Sequence, residues 1–284
     1  MHVEARTAWG RNSHEARIER LYGHRLEAAD SHGGFLNFGL WEDDVLDYLD
    51  AAQRMVERVG ELAELGPGAR IVDAACGTGA QDAYLAHRFG PLSIDAVDVT
   101  WHHVDIARRR AAELGAGSTL RVHHASATAL PLPDATATHV ISIEAAHHFA
   151  TRAAFFAQAH RVLVPGGVIA LADFVLVRSP RGPIERALFD ATCALWKVPR
   201  ANADTADAYE TKLEHAGFCN VDFTYVGDRT FAGYLASQRR PERRKELALL
   251  RGRVGIMVGE LMAWAAHAVY AAGLVEYVLV RAER

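Results

Sequence analysis

The stretch Ala69-Arg70-Ile71-Val72-Asp73-Ala74-Ala75-Cys76-Gly77-Thr78-Gly79-Ala80 decides the fold. An apolar run closes on an acid, a small glycine-containing turn follows, and a helix-forming run, Gln81-Asp82-Ala83-Tyr84-Leu85-Ala86, comes next. That order reads strand, tight turn, helix. Glycine carries no side chain to obstruct a ligand, so such a turn lets a nucleoside approach the backbone. The acid precedes the glycines and no G-x-G-x-x-G is present, which separates this turn from the dinucleotide fingerprint. A strand-end carboxylate beside a glycine turn suits a cofactor with a cationic ammonium better than one with a pyrophosphate.

Downstream, short apolar runs alternate with helical patterns. Strands are expected near 70–74, 93–98, 119–123, 138–143 and 168–174, and helices near 79–89, 102–114 and 151–163. This alternation predicts an α/β fold with a doubly wound parallel sheet. Val162-Leu163-Val164-Pro165-Gly166-Gly167 reads as the turn into the fifth strand. Upstream lie an amphipathic segment at 12–32, a glycine-aromatic segment at 33–41 and a long helix at 44–65. Beyond 178 the alternation lapses. Helices are expected at 182–198, 204–216 and 230–272, and strands at 218–226 and 274–280 closing the sheet edge. The organisation is a helical cap at 1–65, a core at 66–178, and substrate-lid helices with terminal strands at 179–284, all in one compact domain.

Composition narrows the function. The 284 residues are ordinary for a globular enzyme, and a net charge of -4 offers no basic field for nucleic acid. Cys76, Cys193 and Cys219 form neither a zinc pattern nor a disulfide framework. The N-terminus is charged where a signal peptide would be apolar, so a cytoplasmic setting is expected. The apolar stretch 256–280 is interrupted by Glu260, His267 and Glu276 and divided by Gly273, and it reads as a lid helix and a strand, not a membrane span. The sequence leaves the oligomeric state open, a homo-oligomer included.

Ligands of open α/β sheets sit beyond the carboxyl ends of the strands. Asp98 ends the second strand, where a carboxylate can accept from ribose hydroxyls and Val99 can pack on a base; a helix N-cap is the alternative role. After the fourth strand comes Ile143-Glu144-Ala145-Ala146-His147-His148-Phe149, and the neighbouring strand ends in Ala172-Asp173-Phe174. His147 and Asp173 can therefore face one pocket, the imidazole as proton acceptor and the carboxylate as its orienting partner. Equally, they could be a satisfied core histidine and a helix cap.

The D-x-x-C-G-T-G turn resembles motif I of class I S-adenosylmethionine (SAM) methyltransferases, with Ala75 where Gly is usual. Ser126-Ala127-Thr128-Ala129-Leu130-Pro131-Leu132-Pro133 resembles that family's D-A-x-x-L-P-F-P segment, with Ser126 in place of the adenine-binding Asp. Together with Phe35-Leu36-Asn37-Phe38-Gly39-Leu40-Trp41, I-E-A-A-H-H-F, R-V-L-V-P-G-G and L-A-D-F, most of the chain is similar to actinobacterial natural-product methyltransferases, the group of the rebeccamycin sugar 4-O-methyltransferase and erythromycin O-methyltransferase. The resemblance implies a Rossmann-like class I methyltransferase fold, with a seven-stranded, mostly parallel sheet and a helical lid. It implies SAM as cofactor, held by Phe38, Trp41, Asp73, Ala75, Cys76, Gly77, Gly79, Asp98, Val99, Ser126, Ala127 and Glu144. It also implies a small-molecule acceptor, a hydroxyl of sugar or polyketide type, served by His147 as base and Asp173 as its partner. No metal is expected, because the Asp-Asp-Asn set of catechol-type enzymes is missing. The competing readings are a C- or N-methyltransferase on the same scaffold, a non-catalytic SAM-binding partner protein, and a nicotinamide oxidoreductase. The last is disfavoured by the missing dinucleotide fingerprint.

Overall fold

The computed structural model describes residues 9–10, 13–22, 33–115 and 119–284. Among them β1 (Arg70–Ala74), β2 (Ser93–Asp98), β3 (Leu120–His124), β4 (Ala137–Ile143), β5 (Leu163–Leu176), β6 (Cys219–Tyr225) and β7 (Val275–Glu283) form one sheet in the order β3-β2-β1-β4-β5-β7-β6. β7 runs antiparallel to both its neighbours, and the other pairings are parallel. The order reverses between β1 and β4, so the crevice for a ligand opens beyond the ends of those two strands. β1 and β2 are buried almost throughout, as strands covered on both faces must be.

Helices α3 (Ala80–Phe89), α4 (Trp101–Glu113) and α5 (Arg152–Val162) are the crossovers. α2 (Tyr48–Leu62) packs Ala52, Met55, Val56 and Val59 into the core. It is shorter than the expected 44–65 because the Asp47 carboxylate caps it, accepting from the Asp50 N–H. β5 is longer than expected. Val164-Pro165-Gly166-Gly167 is a bulge inside the strand, between the pairs Ala137–Leu163 and His139–Val168. The last residue of the chain binds it: Arg284 donates to the Gly167 carbonyl and accepts from the Gly166 N–H, both at 2.8 Å.

Of the segments beyond 178, α7 (Ala206–His215) is a core helix, not part of a lid. Its Tyr209 and Leu213 are fully buried among Phe155, Phe156 and Val280. The remaining helices are α6 (Gly182–Leu195), α8 (Phe231–Gln238) and α9 (Pro241–Ala271), the last broken at Gly252 (φ 65°). By length and composition alone Gly252–Ala271 could cross a bilayer; Ala263, Ala265, Ala266 and Val269 are buried against the protein, while Val254, Met257, Leu261 and Trp264 are exposed. The amphipathic segment expected at 12–32 contains α1 (His14–Tyr22), and residues 23–32 lie outside the described ones.

Candidate active site

The β1–α3 turn is built on left-handed backbone. Gly77 (φ 56°) and Gly79 (φ 76°) adopt it at little cost. A Cβ on Gly79 would lie 2.9 Å from the Ala107 Cβ of α4, so this glycine brings two helices together. Ala75 holds φ 71° despite its methyl, a conformation costing about 1–2 kcal/mol outside glycine. Its N–H is fixed by the Val97 carbonyl at 2.7 Å.

This turn floors a cavity. Ala75, Cys76, Gly77, Asp98, Val99, Ser126, Ala127 and Glu144 line it, as the sequence suggested. Asp98 accepts from the N–H groups of Gly77 (3.0 Å) and Thr100 (2.7 Å). The other expected residues lie elsewhere. Asp73 is buried beneath the turn, accepting from the Gln81 amide at 2.6 Å; Gln81 itself reaches the cavity. Burial pushes the Asp73 carboxyl up to about 6, and burial raises the neighbouring Asp82 well above its usual range, with the Asp73 charge adding to it. Gly79 caps α3 away from the cavity. Phe38 lines a second cavity, and Trp41 lines neither. The Trp41 ring lies flat on α8, where a Cβ on Gly233 would fall 2.2 Å from it.

His103, His14 and Tyr22 also line the first cavity. The His103 Nδ1 approaches Asp98 at 3.3 Å, and its buried Nε2 meets no partner among the described residues. Tyr22 hydroxyl and His148 Nε2 are 2.9 Å apart, and His14 contacts the His148 carbonyl. His102 and His103 carried no role in the sequence reading above. The fold position of His103 on α4, under the second strand end, gives it one.

Glu144, at the end of β4, divides the two cavities. It accepts from the Phe38 N–H (2.6 Å) and the Tyr277 hydroxyl (2.7 Å). Burial raises its pKa to about 8 against both bonds.

The second cavity holds His147 on its wall. The 3-10 turn Ala146–His148 presents the ring, and the Asn202 amide donates to the carbonyls of His147 (3.1 Å) and Phe149 (2.7 Å) to hold that turn. His147 Nδ1 lies 3.1 Å from Asp173 Oδ1. The other Asp173 oxygen accepts from Arg152 Nε at 2.9 Å and the Tyr209 hydroxyl at 3.2 Å. Arg152 is fully buried and continues to Asp204 at 3.1 Å and to the Phe174 carbonyl at 2.7 Å. Burial alone would raise the Asp173 pKa, but Arg152 and His147 hold it far below the usual carboxylate range. Burial lowers the His147 pKa, and Asp173 opposes that without reversing it. A neutral imidazole bonded to a carboxylate through Nδ1–H leaves Nε2 as a proton acceptor. Arg152, Asn202 and Tyr209 carried no signal in the sequence. Only the fold brings them to Asp173.

The methyltransferase-domain family pattern matches residues 71–167. The erythromycin 3''-O-methyltransferase of Saccharopolyspora erythraea is 32% identical over 211 residues, 73% of this chain and 69% of that protein. The chain belongs to the class I natural-product methyltransferases. The 27-O-demethylrifamycin SV methyltransferase of Amycolatopsis mediterranei is 33% identical over 150 residues, covering 53% of this methyltransferase and 55% of its relative. In fold, the methyltransferase superposes on the geranyl diphosphate C-methyltransferase of Streptomyces coelicolor, solved with S-adenosylhomocysteine. The TM-score is 0.74 at 17% identity, over 97% of this chain and all of that one. The cofactor of the methyltransferase is SAM. The first cavity fits it: Asp98 at the second strand end and the unpartnered His103 Nε2 suit ligand hydroxyl or amino donors. A Cβ on Gly77 would crowd Leu36 at 3.0 Å, so the bare backbone keeps the turn open to the cavity. When bound, SAM supplies an electrophilic methyl group on a sulfonium.

Proposed function

We propose that this methyltransferase methylates a hydroxyl oxygen of a small natural product seated in the second cavity, with His147 as general base and Asp173 as its positioning carboxylate. The observation that carries the reading is the His147 Nδ1–Asp173 Oδ1 contact at 3.1 Å on the cavity wall. Nε2 takes the hydroxyl proton as the oxygen attacks, and Asp173 stabilises the resulting imidazolium. Burial keeps the ring neutral at the outset. Phe38 and Phe174 line the wall beside it. The relatives named as O-methyltransferases support an oxygen acceptor, and the largely apolar cavity supports a small molecule over nucleic acid.

His147→Ala should lower single-turnover methylation of an alcohol acceptor about 10²–10⁴-fold while leaving S-adenosylhomocysteine affinity nearly unchanged by calorimetry. In the wild type, the rate should rise with pH as His147 loses its proton. Because burial lowers this pKa, the midpoint of the rise should lie below pH 6.5, and His147→Ala should lack that limb. Asp173→Asn tests something else. It removes one of the two carboxylates that pair with the buried Arg152, leaving Asp204, so its melting temperature should fall along with its activity. A folded His147→Ala enzyme with near-full turnover, chemistry being rate-limiting, would exclude the base and favour a carbon or nitrogen acceptor.

A further inference from the structure

The second cavity carries information about its occupant, because nearly every polar group on its wall is already engaged. Arg152 bonds Asp173, Asp204 and the carbonyls of Asn202 and Phe174. Asn202 bonds the turn that presents His147. The Thr192 hydroxyl donates to the Leu188 carbonyl at 2.8 Å. Around His147 stand aromatic rings. Phe174 meets it edge-on at 4.8 Å, and Phe38 lies 5.5 Å from both Phe174 and Trp196. Among the described residues, one strong donor is left over beside the free Cys193 thiol. The Trp196 indole Nε1, on a ring lining this cavity just past the end of α6, is buried and meets no acceptor among the described residues. A buried donor without a partner costs about 1–3 kcal/mol, and such groups in native proteins call for a partner that a ligand can supply.

Resting on the hydroxyl-methylation reading above, we propose that the acceptor is an apolar, ring-bearing alcohol or phenol carrying a second oxygen, carbonyl or ether, that accepts from the Trp196 N–H. Trp196 is a positioning residue: its N–H and the aromatic walls orient the acceptor so that one hydroxyl faces His147 Nε2. A free sugar does not suit this wall. Its several hydroxyls would be buried against carbon, and each unbonded one is disfavoured by about 1–3 kcal/mol.

The test is calorimetry on the protein saturated with S-adenosylhomocysteine, using three kinds of probe. They are 6- and 7-hydroxyflavone (rings, hydroxyl and carbonyl), 2-naphthol (rings and hydroxyl only) and methyl α-L-rhamnopyranoside. At least one flavone should bind tightest, with the rhamnoside at least tenfold weaker. Trp196→Phe keeps a ring and removes the donor. It should weaken flavone binding about 2–12-fold, the worth of one hydrogen bond, and leave 2-naphthol within about twofold. The ligand-free variant should melt no lower than the wild type, because the lost N–H had no partner. The proposal is overturned if the rhamnoside matches the flavones, if neither flavone binds at millimolar concentration, or if Trp196→Phe weakens naphthol and flavone alike. Binding to this complex involves no methyl transfer. Failure here therefore leaves the His147 chemistry standing, and a fully active His147→Ala enzyme would leave this selectivity standing.

Discussion

Glu144 is neutral near neutral pH in the cofactor-free protein, because burial lifts its pKa to about 8. It lines the cofactor cavity, so a cationic ligand there favours its carboxylate and expels its proton. SAM carries a sulfonium charge that S-adenosylhomocysteine lacks. At pH 7, SAM binding should release more protons than S-adenosylhomocysteine binding, read by calorimetry in buffers of different ionisation enthalpy. Glu144→Gln should abolish the difference, and a difference that survives in the variant would assign the proton elsewhere. Residues that line the cavity were legible where a local pattern displays them: the Ala75–Gly77 turn, Asp98 at a strand end, Ser126-Ala127 after β3. Asp73 was misplaced for a physical reason. Its position in the motif puts it at the cofactor, but strand alternation turns the side chain under the turn, onto Gln81. Arg152 and Asn202 were illegible because nothing within a few residues of either one points to Asp173, 21 and 29 positions away along the chain.

Among the elements, stability is uneven. α2 buries Ala51, Ala52, Met55, Val56, Val59 and Gly60, whereas α1 buries only Ala16 and Ile18 and otherwise leans on the cofactor cavity through His14 and Tyr22. An element whose contacts are mostly to a ligand site is held by the ligand. Hydrogen exchange in 14–22 and 33–41 should slow when S-adenosylhomocysteine is added, while α2 stays unchanged. Equal exchange with and without ligand would make both segments fixed packing. The parallel strands and their crossovers were legible from periodicity alone, since a buried strand and an amphipathic helix each repeat at their own period. The bulge in β5 was not. Pro165-Gly166-Gly167 carries a turn's composition, and only the distant Arg284 backbone makes it part of a strand. α7 looked like lid for a similar reason, because its apolar positions do not say which layer they will join.

Across the whole molecule, the two cavities share one cover. Gly34, Phe35, Leu36 and Asn37 line the cofactor side. The next residue, Phe38, lines the acceptor side and stacks on Tyr234 of α8 at 4.1 Å. Trp41 then fastens the segment to the insert, its N–H donating to the Arg229 carbonyl at 2.7 Å and its ring lying on Gly233. The consequence is one of sequence in time. The cofactor side cannot be uncovered without pulling Phe38 off the wall of the acceptor side and Trp41 off α8, so whatever fills the acceptor cavity also bolts the door on the cofactor. Turnover should follow a compulsory order, cofactor first on and its spent form last off. Product inhibition reads this directly: S-adenosylhomocysteine should compete with SAM, and the methylated acceptor should not. If either substrate can enter first, the shared cover opens in halves, and Trp41 is a seam instead of a latch.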